Sequence, residues 1–512
     1  MEMASFNTLP DDILLAILFL LPGASICQCL QVSRRLKNIV HASGHLRYLV
    51  ELSICGYIEP DCLRTDLSYE EMAELLRCQR ARWDNPQDVT RTYYEFPPGE
   101  SVRSCPFTKG VLARIVRRIG YPIEQIQFYQ LPSKNRGVEF EHWSIDQGIS
   151  FLDFFIDPDQ DLLVGFEPVY SPAFTTKVHV RSMRTGKDHP QAAGQFVLMR
   201  DFYNEHRLSS IEIIGHSLAV FGWPHGRVGY HIEVWDWTTG SQLSYLTLDD
   251  MRVSAAQLLS EDSFVICHSD AIADFPKGTL GCLDVYRFRL HPTMPAKAIK
   301  VASFALPSRE DATVTYQFAP STSTPNRGCS VPKIYELEPQ DRLVYIIISS
   351  NDYQPGDLPL PIIRGFYILA VSILLDTLPE PSPSVLENFS CILFPWSDWA
   401  DKAFWIPWDS SEYNPNLHPS GQRSVTLAFR GLKFRNFRRQ RLTTRSVDIF
   451  GPNIDSIFDL TSKQKQEKQV LPYKMATETI GERSQLRMPR CILVDIDDEH
   501  VIASEVFLSP VL

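Results

Sequence analysis

The sequence predicts a chain that is α+β by segments: a small all-α part at the N terminus, then a helical linker, then a large all-β body. Three observations carry this. Nine apolar residues stand in a row over 13–21, with helix-start chemistry before them and helix-stop chemistry after them. Capped, helix-periodic segments continue to about residue 84. From about Asn85 the pattern changes to short apolar or β-branched runs between Gly, Pro, Asp and Asn turns. The 512-residue length and 44% hydrophobic content are ample for a large core. A net charge of -11 argues against a protein that coats nucleic acid, so no nucleic-acid partner is expected.

The stretch LPDDILLAILFLLP, residues 9–22, comes first. A membrane-spanning helix needs about 20 apolar residues, and a secretory leader needs basic residues ahead of its apolar run. Here Glu2, Asp11 and Asp12 precede or open the run, and the first basic residue is Arg34. No later stretch is long enough to span a membrane, so no membrane partner is expected either. A helix fits better. Pro10 suits a first turn, where its missing N–H is not needed, and Asp11 and Asp12 complement the positive end of the helix dipole. Leu9, Ile13 and Ile17 then fall on one stripe; Leu14, Leu18 and Leu21 fall on an adjacent one. One stripe is enough for a surface helix, so two imply burial on two sides. Pro22 and Gly23 end this helix. Ser25 is expected to cap a short second helix over 26–31, and Ser33 a third, Arg34–Ala42, with Gly44 just past its end. Three short helices in about 40 residues are at the size where a domain needs outside help to be stable. A protein partner covering the second stripe would supply it.

These residues resemble an F-box. The carriers are Leu9-Pro10-Asp11-Asp12-Ile13-Leu14, then Ile17-Leu18, Leu21-Pro22, Leu30 and Val32-Ser33-Arg34-Arg35-Leu36, with Leu36 where an aromatic often closes the pattern. The resemblance implies docking on a Skp-family linker protein and, through it, on a cullin. It implies that Leu9, Pro10, Ile13, Leu14, Ile17, Leu18 and Val32 supply the docking surface. Half a dozen aliphatics buried at roughly 1.5–3 kcal/mol each give a gross gain on the order of 10 kcal/mol. Association entropy takes back several of these. The alternative is a terminal helix buried in the protein's own core.

The helical linker follows. HLRYLVELSICG reads as a helix ending near Gly56, and SYEEMAELLRCQRARW, 68–83, as an amphipathic helix with a capping box from Ser68 to Glu71. Met72, Leu75, Leu76 and Gln79 run along one side of it. The expected division is an F-box over 5–45, a linker over 46–84 and the β-rich body over 85–512.

In the body, ISFLDFFIDPDQDLLVGFEP, SIEIIGHSLAVFGWP and AAQLLSEDSFVICHSD each read as two strands across a polar turn. QDRLVYIIISS and CILVDIDDEHVIASEVF look like further copies. TKVHVRSMRTGK, HIEVWDWTTGSQ and GCLDVYRFRL each supply a third strand, and Thr185-Gly186 and Thr239-Gly240 suit a tight turn to a fourth. Leu163, Leu218 and Phe264 mark equivalent positions, 55 and 46 residues apart. That spacing matches the blades of a β-propeller, six to eight of them, with seven expected; a pair of β-sandwiches is the alternative. Val234-Trp235-Asp236 resembles the Trp-Asp ending of a WD-like repeat. LLRCQRARW, IQFYQLPS and FIDPDQDLLVGFEP also resemble a large family of fungal F-box proteins, which brings no substrate with it. STSTPNRG, QPGDLPLP and LTSKQKQEKQ read as loops or insertions.

Bond chemistry finds little support. GHSLA, residues 215–219, resembles a nucleophile elbow around Ser217, but Ala219 replaces the usual Gly and AVFGWP cannot form the required helix. Ser217 therefore belongs in a hairpin, and a serine hydrolase is only a remote alternative. His179, His206, His231 and His291 have no metal-ligand spacing, Asp497-Asp498-Glu499 reads as a solvated turn, and no phosphate-binding glycine signature follows a strand. No cofactor or metal is expected. The 11 cysteines include no CxxC pair and read as reduced thiols of a cytoplasmic or nuclear protein. RGLKFRNFRRQRLTTR, residues 430–445, is different: it has seven Lys or Arg, no acid, and interleaved Phe434 and Phe437. An exposed strand with a charged face explains it. It is also the first candidate for a target-contact patch, through Arg435, Arg438, Arg439 and Arg441, because arginine clusters recognise phosphate-bearing partners.

The expectation is a non-catalytic adaptor: the substrate-recognition subunit of a cullin–RING (SCF-type) ubiquitin ligase, holding an unidentified target protein on its β-rich body. The alternative is an F-box scaffold that binds the linker and recruits no cullin.

Overall fold

The computed structural model describes residues 9–84 and, chiefly, 100–102, 106–118, 125–146, 153–169, 175–194, 196–198, 210–222, 229–248, 253–268, 281–288, 298–307, 314–318, 331–337, 342–350, 362–376, 391–407, 418–420, 423–428, 431–439, 473–480, 491–496 and 501–505. Helix α1, Asp11–Phe19, follows Pro10 and carries Asp11 and Asp12 in its first turn. Helix α2, Gly23–Val32, begins directly after Pro22 and has no side-chain cap. Ser25 lies inside it, so the start expected at residue 26 moves forward; the fixed φ of Pro22 already sets the entry. Helix α3, Arg34–Ala42, has the expected cap, with Leu36 N–H donating to Ser33 Oγ at 3.1 Å. Gly44 does not end it. Ser43 closes α3 and caps α4, Gly44–Cys55, accepting from Leu46 N–H at 3.3 Å. Gly56 ends α4 in the left-handed region at φ 73, its N–H donating to the carbonyls of Leu52 and Ser53. Helix α5, Tyr69–Asp84, starts on the capping box: Ser68 N–H donates to Glu71 Oε2 at 2.8 Å, and Glu71 N–H to Ser68 Oγ at 3.3 Å.

The helices build two small cores that share α4. Leu14, Leu18, Ile26, Leu36, Val40, Leu46 and Val50 form the first. Tyr48, Leu52, Tyr57, Met72, Ala73 and Leu76 form the second, together with Ile334, Tyr335 and Leu337 from far along the chain. The boundary expected between residues 45 and 46 thus falls inside a helix that serves both sides.

The body is a succession of antiparallel sheets in chain order, of which seven are described after residue 100. The second sheet pairs Asp153–Asp157, Leu162–Val169, Thr175–Ser182 and Phe196–Leu198. The third pairs Ser210–Ile214, Ser217–Gly222, Tyr230–Asp236 and Ser241–Leu248. The first, fourth, fifth and sixth repeat this meander, and the last described sheet is the hairpin Cys491–Ile496 with Val501–Glu505. That hairpin lies beside the sixth sheet and reaches Phe107–Thr108 of the first.

The sheets stack like blades. One apolar cluster lies between the first and second sheets, the next between the second and third, and so on to the fifth. Each inner strand is therefore buried on both faces, which is why SLAVFG and SFVICH are continuous rather than alternating apolar runs. Leu163, Leu218 and Phe264 occupy the same place in three successive sheets. Each is the second residue of its strand, is fully buried, and packs towards the preceding sheet. Trp235 and Trp237 also pack between sheets, so the Trp of the Trp-Asp dipeptide is part of an inter-blade core, while Asp236 accepts from Thr238 and Thr239 in the following turn.

One detail differs from the sequence reading, and a second was not legible there. Gly240 makes the tight turn expected of it, but the fourth strand after Gly186 begins only at Phe196. The apolar run after the strand Ile362–Ala370 turns into a short helix, Val371–Leu375, beyond which Ile392–Phe394 adds in parallel to the edge of the fourth sheet. STSTPNRG, QPGDLPLP and LTSKQKQEKQ lie outside the described residues.

Candidate docking surface

The seven expected docking residues, four of them on α1, divide between two jobs. Leu14 and Leu18 point into the first core, 1% and 2% exposed. They are therefore corrected from docking surface to core: α2, α3 and α4 cover that stripe with Ile26, Leu36, Val40, Leu46 and Val50. The other stripe stays outside. Ile13 is 48% exposed, Pro10 is exposed, and Leu9 and Ile17 are half-buried. Val32, at the C-terminal end of α2, is 73% exposed. None of these five is among the fully buried side chains of either helical core.

Two further apolar residues face solvent that the stripe argument did not single out. Phe19 is 40% and Leu20 85% exposed at the end of α1. The run over 13–21 is longer than one helical face requires, and that excess was the available signal.

Arg35 fixes the start of the motif. Its Nε donates to Asp11 Oδ1 at 2.7 Å and its Nη2 to the Leu9 carbonyl. The Leu-Pro-Asp opening and the Ser-Arg-Arg closing of the pattern are thus tied together across 24 residues. The result is a preformed apolar ledge rimmed by an ion pair, a surface suited to burying a partner.

Elsewhere, Ser217, His179 and His231 make hydrogen bonds within or between the sheets. Ser217 opens the second strand of the third sheet after the Gly215-His216 turn, is fully buried, and donates its hydroxyl to the Glu261 carbonyl at 2.7 Å. It sits in the hairpin that the sequence implied. His179 meets Glu167 at 2.7 Å in the second sheet, and His231 meets Tyr245 Oη at 3.1 Å in the third. Burial, with help from Arg181 and Lys177, holds the pKa of His179 below its ordinary value against the pull of Glu167. Among the described residues, no group of three or more His, Cys, Asp or Glu side chains is placed to hold a metal. No described helix is long and apolar enough to cross a membrane. Arg435, Arg438 and Arg439 lie on the strand Gly431–Arg439 of the sixth sheet, in register with Thr477, Lys474 and Tyr473. Arg441, His206, His291 and Asp497 to Glu499 lie outside the described residues.

Residues 6–48 match the family described as F-box-like. Among curated proteins none matches the chain. Several solved structures resemble it at low identity. The β-propeller domain of the Trilobed protease from Pyrococcus furiosus is 8% identical, the match covering 66% of this chain and 82% of that one, with a TM-score of 0.35. Hydrazine synthase of Kuenenia stuttgartiensis is 10% identical over 62% of this chain and 78% of that one, with a TM-score of 0.31. The tricorn protease is 10% identical over 68% of this chain and 28% of that one, with a TM-score of 0.30. Residues 6–48 are therefore an F-box-like domain, and a large all-β region of blade-like sheets follows it.

Proposed function

We propose that the chain is the target-recognition subunit of an SCF-type cullin–RING ubiquitin ligase. In this reading Pro10, Ile13, Ile17 and Val32, with Leu9 at the edge, dock on a Skp-family linker protein, and the β-rich body holds the target. The observation that carries it is the exposure of Ile13 and Val32 on a domain that already has its own core. A helix buried for its own sake would not leave its second apolar stripe outside. Such a subunit performs no bond chemistry. It raises the effective concentration of a target lysine near a ubiquitin-charged enzyme, which is work for the cytoplasm or nucleus. A serine-hydrolase reading loses its nucleophile, because the hydroxyl of Ser217 is buried and committed to a backbone carbonyl. The basic strand with Arg435, Arg438 and Arg439, together with Arg441 two residues later in the sequence, remains the proposed target contact; reversing these charges should weaken capture of a target and leave linker binding intact.

The test is affinity purification of the full chain from cells, with and without Ile13→Asp plus Val32→Asp. Both positions are exposed, so the fold should survive. The parent should bring down a linker protein and a cullin, and the double variant neither. A parent that retains a linker protein and no cullin would favour the ligase-independent scaffold.

A further inference from the structure

We propose that residues 331–337 act as a strut that holds the helical part of the chain at one fixed orientation on the β-rich body. By sequence this segment lies between Val314–Phe318 and Leu343–Ser350, neighbouring strands of the fifth sheet. In space it sits between the linker helices and the first two sheets.

Towards the helices, Ile334, Tyr335 and Leu337 are buried with Tyr48, Leu52, Met72 and Leu76. Glu336-Leu337 pairs as an antiparallel strand with Tyr57-Ile58 just after α4. The Tyr48 hydroxyl donates to the Ile334 carbonyl at 2.7 Å, and Gln79 Nε2 donates to Tyr335 Oη at 2.6 Å. The rings of Tyr57 and Tyr335 stack with centroids 4.1 Å apart.

Towards the sheets, Asn135 Oδ1 accepts from the backbone N–H of both Ile334 and Tyr335, at 2.9 and 3.2 Å. Asn135 belongs to the connection between two strands of the first sheet, Gln125–Gln130 and Glu141–Asp146. Lys333 Nζ reaches Asp159, in the first turn of the second sheet, at 3.1 Å. Asp159 also holds Lys109 of the first sheet at 3.0 Å. The connection between α4 and α5 completes the clamp: Lys333 N–H donates to the Cys62 carbonyl at 2.9 Å, Arg64 N–H to the Lys333 carbonyl at 3.0 Å, and Arg64 Nη1 to the Lys134 carbonyl at 2.6 Å.

One hydrogen bond or one ion pair leaves a hinge. Bonds leaving a short, largely buried segment in several directions do not, because any rotation of the helices breaks a buried polar contact. The separation between the docking ledge and whatever the sheets hold is then built into the fold. Orientation as well as tether length sets effective concentration, so the consequence for target presentation rests on the adaptor reading; the rigid mounting itself does not.

Pulsed electron resonance on the full chain tests this. Spin labels go on ketone-bearing amino acids at exposed Asn38 in α3 and exposed Ser144 in the first sheet, which avoids the native thiols. The parent should give one narrow distance peak, and Asn135→Ala plus Tyr335→Ala a peak broadened and shifted. A broad parent, or a double variant as narrow as the parent, overturns the proposal. If the double variant loses the parent's β-sheet circular dichroism, Asn135→Ala plus Tyr48→Phe decides by the same criterion, since it removes three hydrogen bonds and no aromatic ring. Binding of a purified Skp-family linker separates the two claims. Strut variants should bind it as the parent does. A parent that binds none would sink the adaptor reading and leave the strut to the distance measurement.

Discussion

Leu18 and Ile13 lie on the same helix and do opposite work. Leu18 is 2% exposed in the first core, whereas Ile13 is 48% exposed and covers nothing there. Leu18→Ala should cost about 2–5 kcal/mol of stability through lost burial and the cavity left behind. Ile13→Ala should change the stability of the free chain by less than about 0.5 kcal/mol; denaturant unfolding of the two variants checks both. Arg35→Ala removes a partly exposed ion pair and a bond to the Leu9 carbonyl, so about 0.5–1 kcal/mol is expected from the same measurement. A pH effect belongs to Glu212. Its carboxylate accepts from Leu258 N–H at 2.7 Å, while Arg342 Nη2 donates to the carbonyls of Leu258 and Leu259 at 2.6 and 3.0 Å. Burial pushes Glu212 up to about 7, against the pull of Arg342; in the unfolded chain it returns to about 4.5. Below 4.5 the group is protonated in both states, and its contribution is at its most favourable. As pH rises through 7 the folded protein must bury a charge, so that contribution is lost. Glu212→Gln should abolish this loss, worth on the order of 1–3 kcal/mol, in melting curves compared at pH 5 and 8.

Helix α4 is the element on which the two halves meet. Leu46 and Val50 complete the F-box-like core, and Tyr48 and Leu52 face the strut. Its end depends on Gly56 at φ 73, where a side chain is strained; Gly56→Ala should cost about 1 kcal/mol, seen as a lower melting temperature. Much of this level was legible in the sequence because the signals are local. The Ser33 cap, the Ser68–Glu71 box and the 215–216 hairpin turn each depend on residues a few positions apart, and the equivalence of Leu163, Leu218 and Phe264 on a short strand–turn pattern repeated at 55 and 46 residues. The two stripes of α1 were legible as well. Which of them turns inward was not, because that depends on Leu36, Val40, Leu46 and Val50 in later helices. Residues 331–337 gave no local sign of their role. Their partners Asn135 and Tyr48 stand 199 and 286 residues from Ile334, beyond any periodicity argument.

At the scale of the molecule, the described residues form a succession of blade-like sheets and a small group of helices whose apolar ledge they leave exposed. The adaptor role requires that another protein cover that ledge. The direct measurement is calorimetric titration of a purified Skp-family linker protein into the full chain and into its Ile13→Asp plus Val32→Asp variant. The account predicts specific binding to the parent with a negative heat-capacity change, the mark of apolar burial, and loss of that binding in a variant that still unfolds like the parent. Equal binding by parent and variant, or none by either, would contradict it.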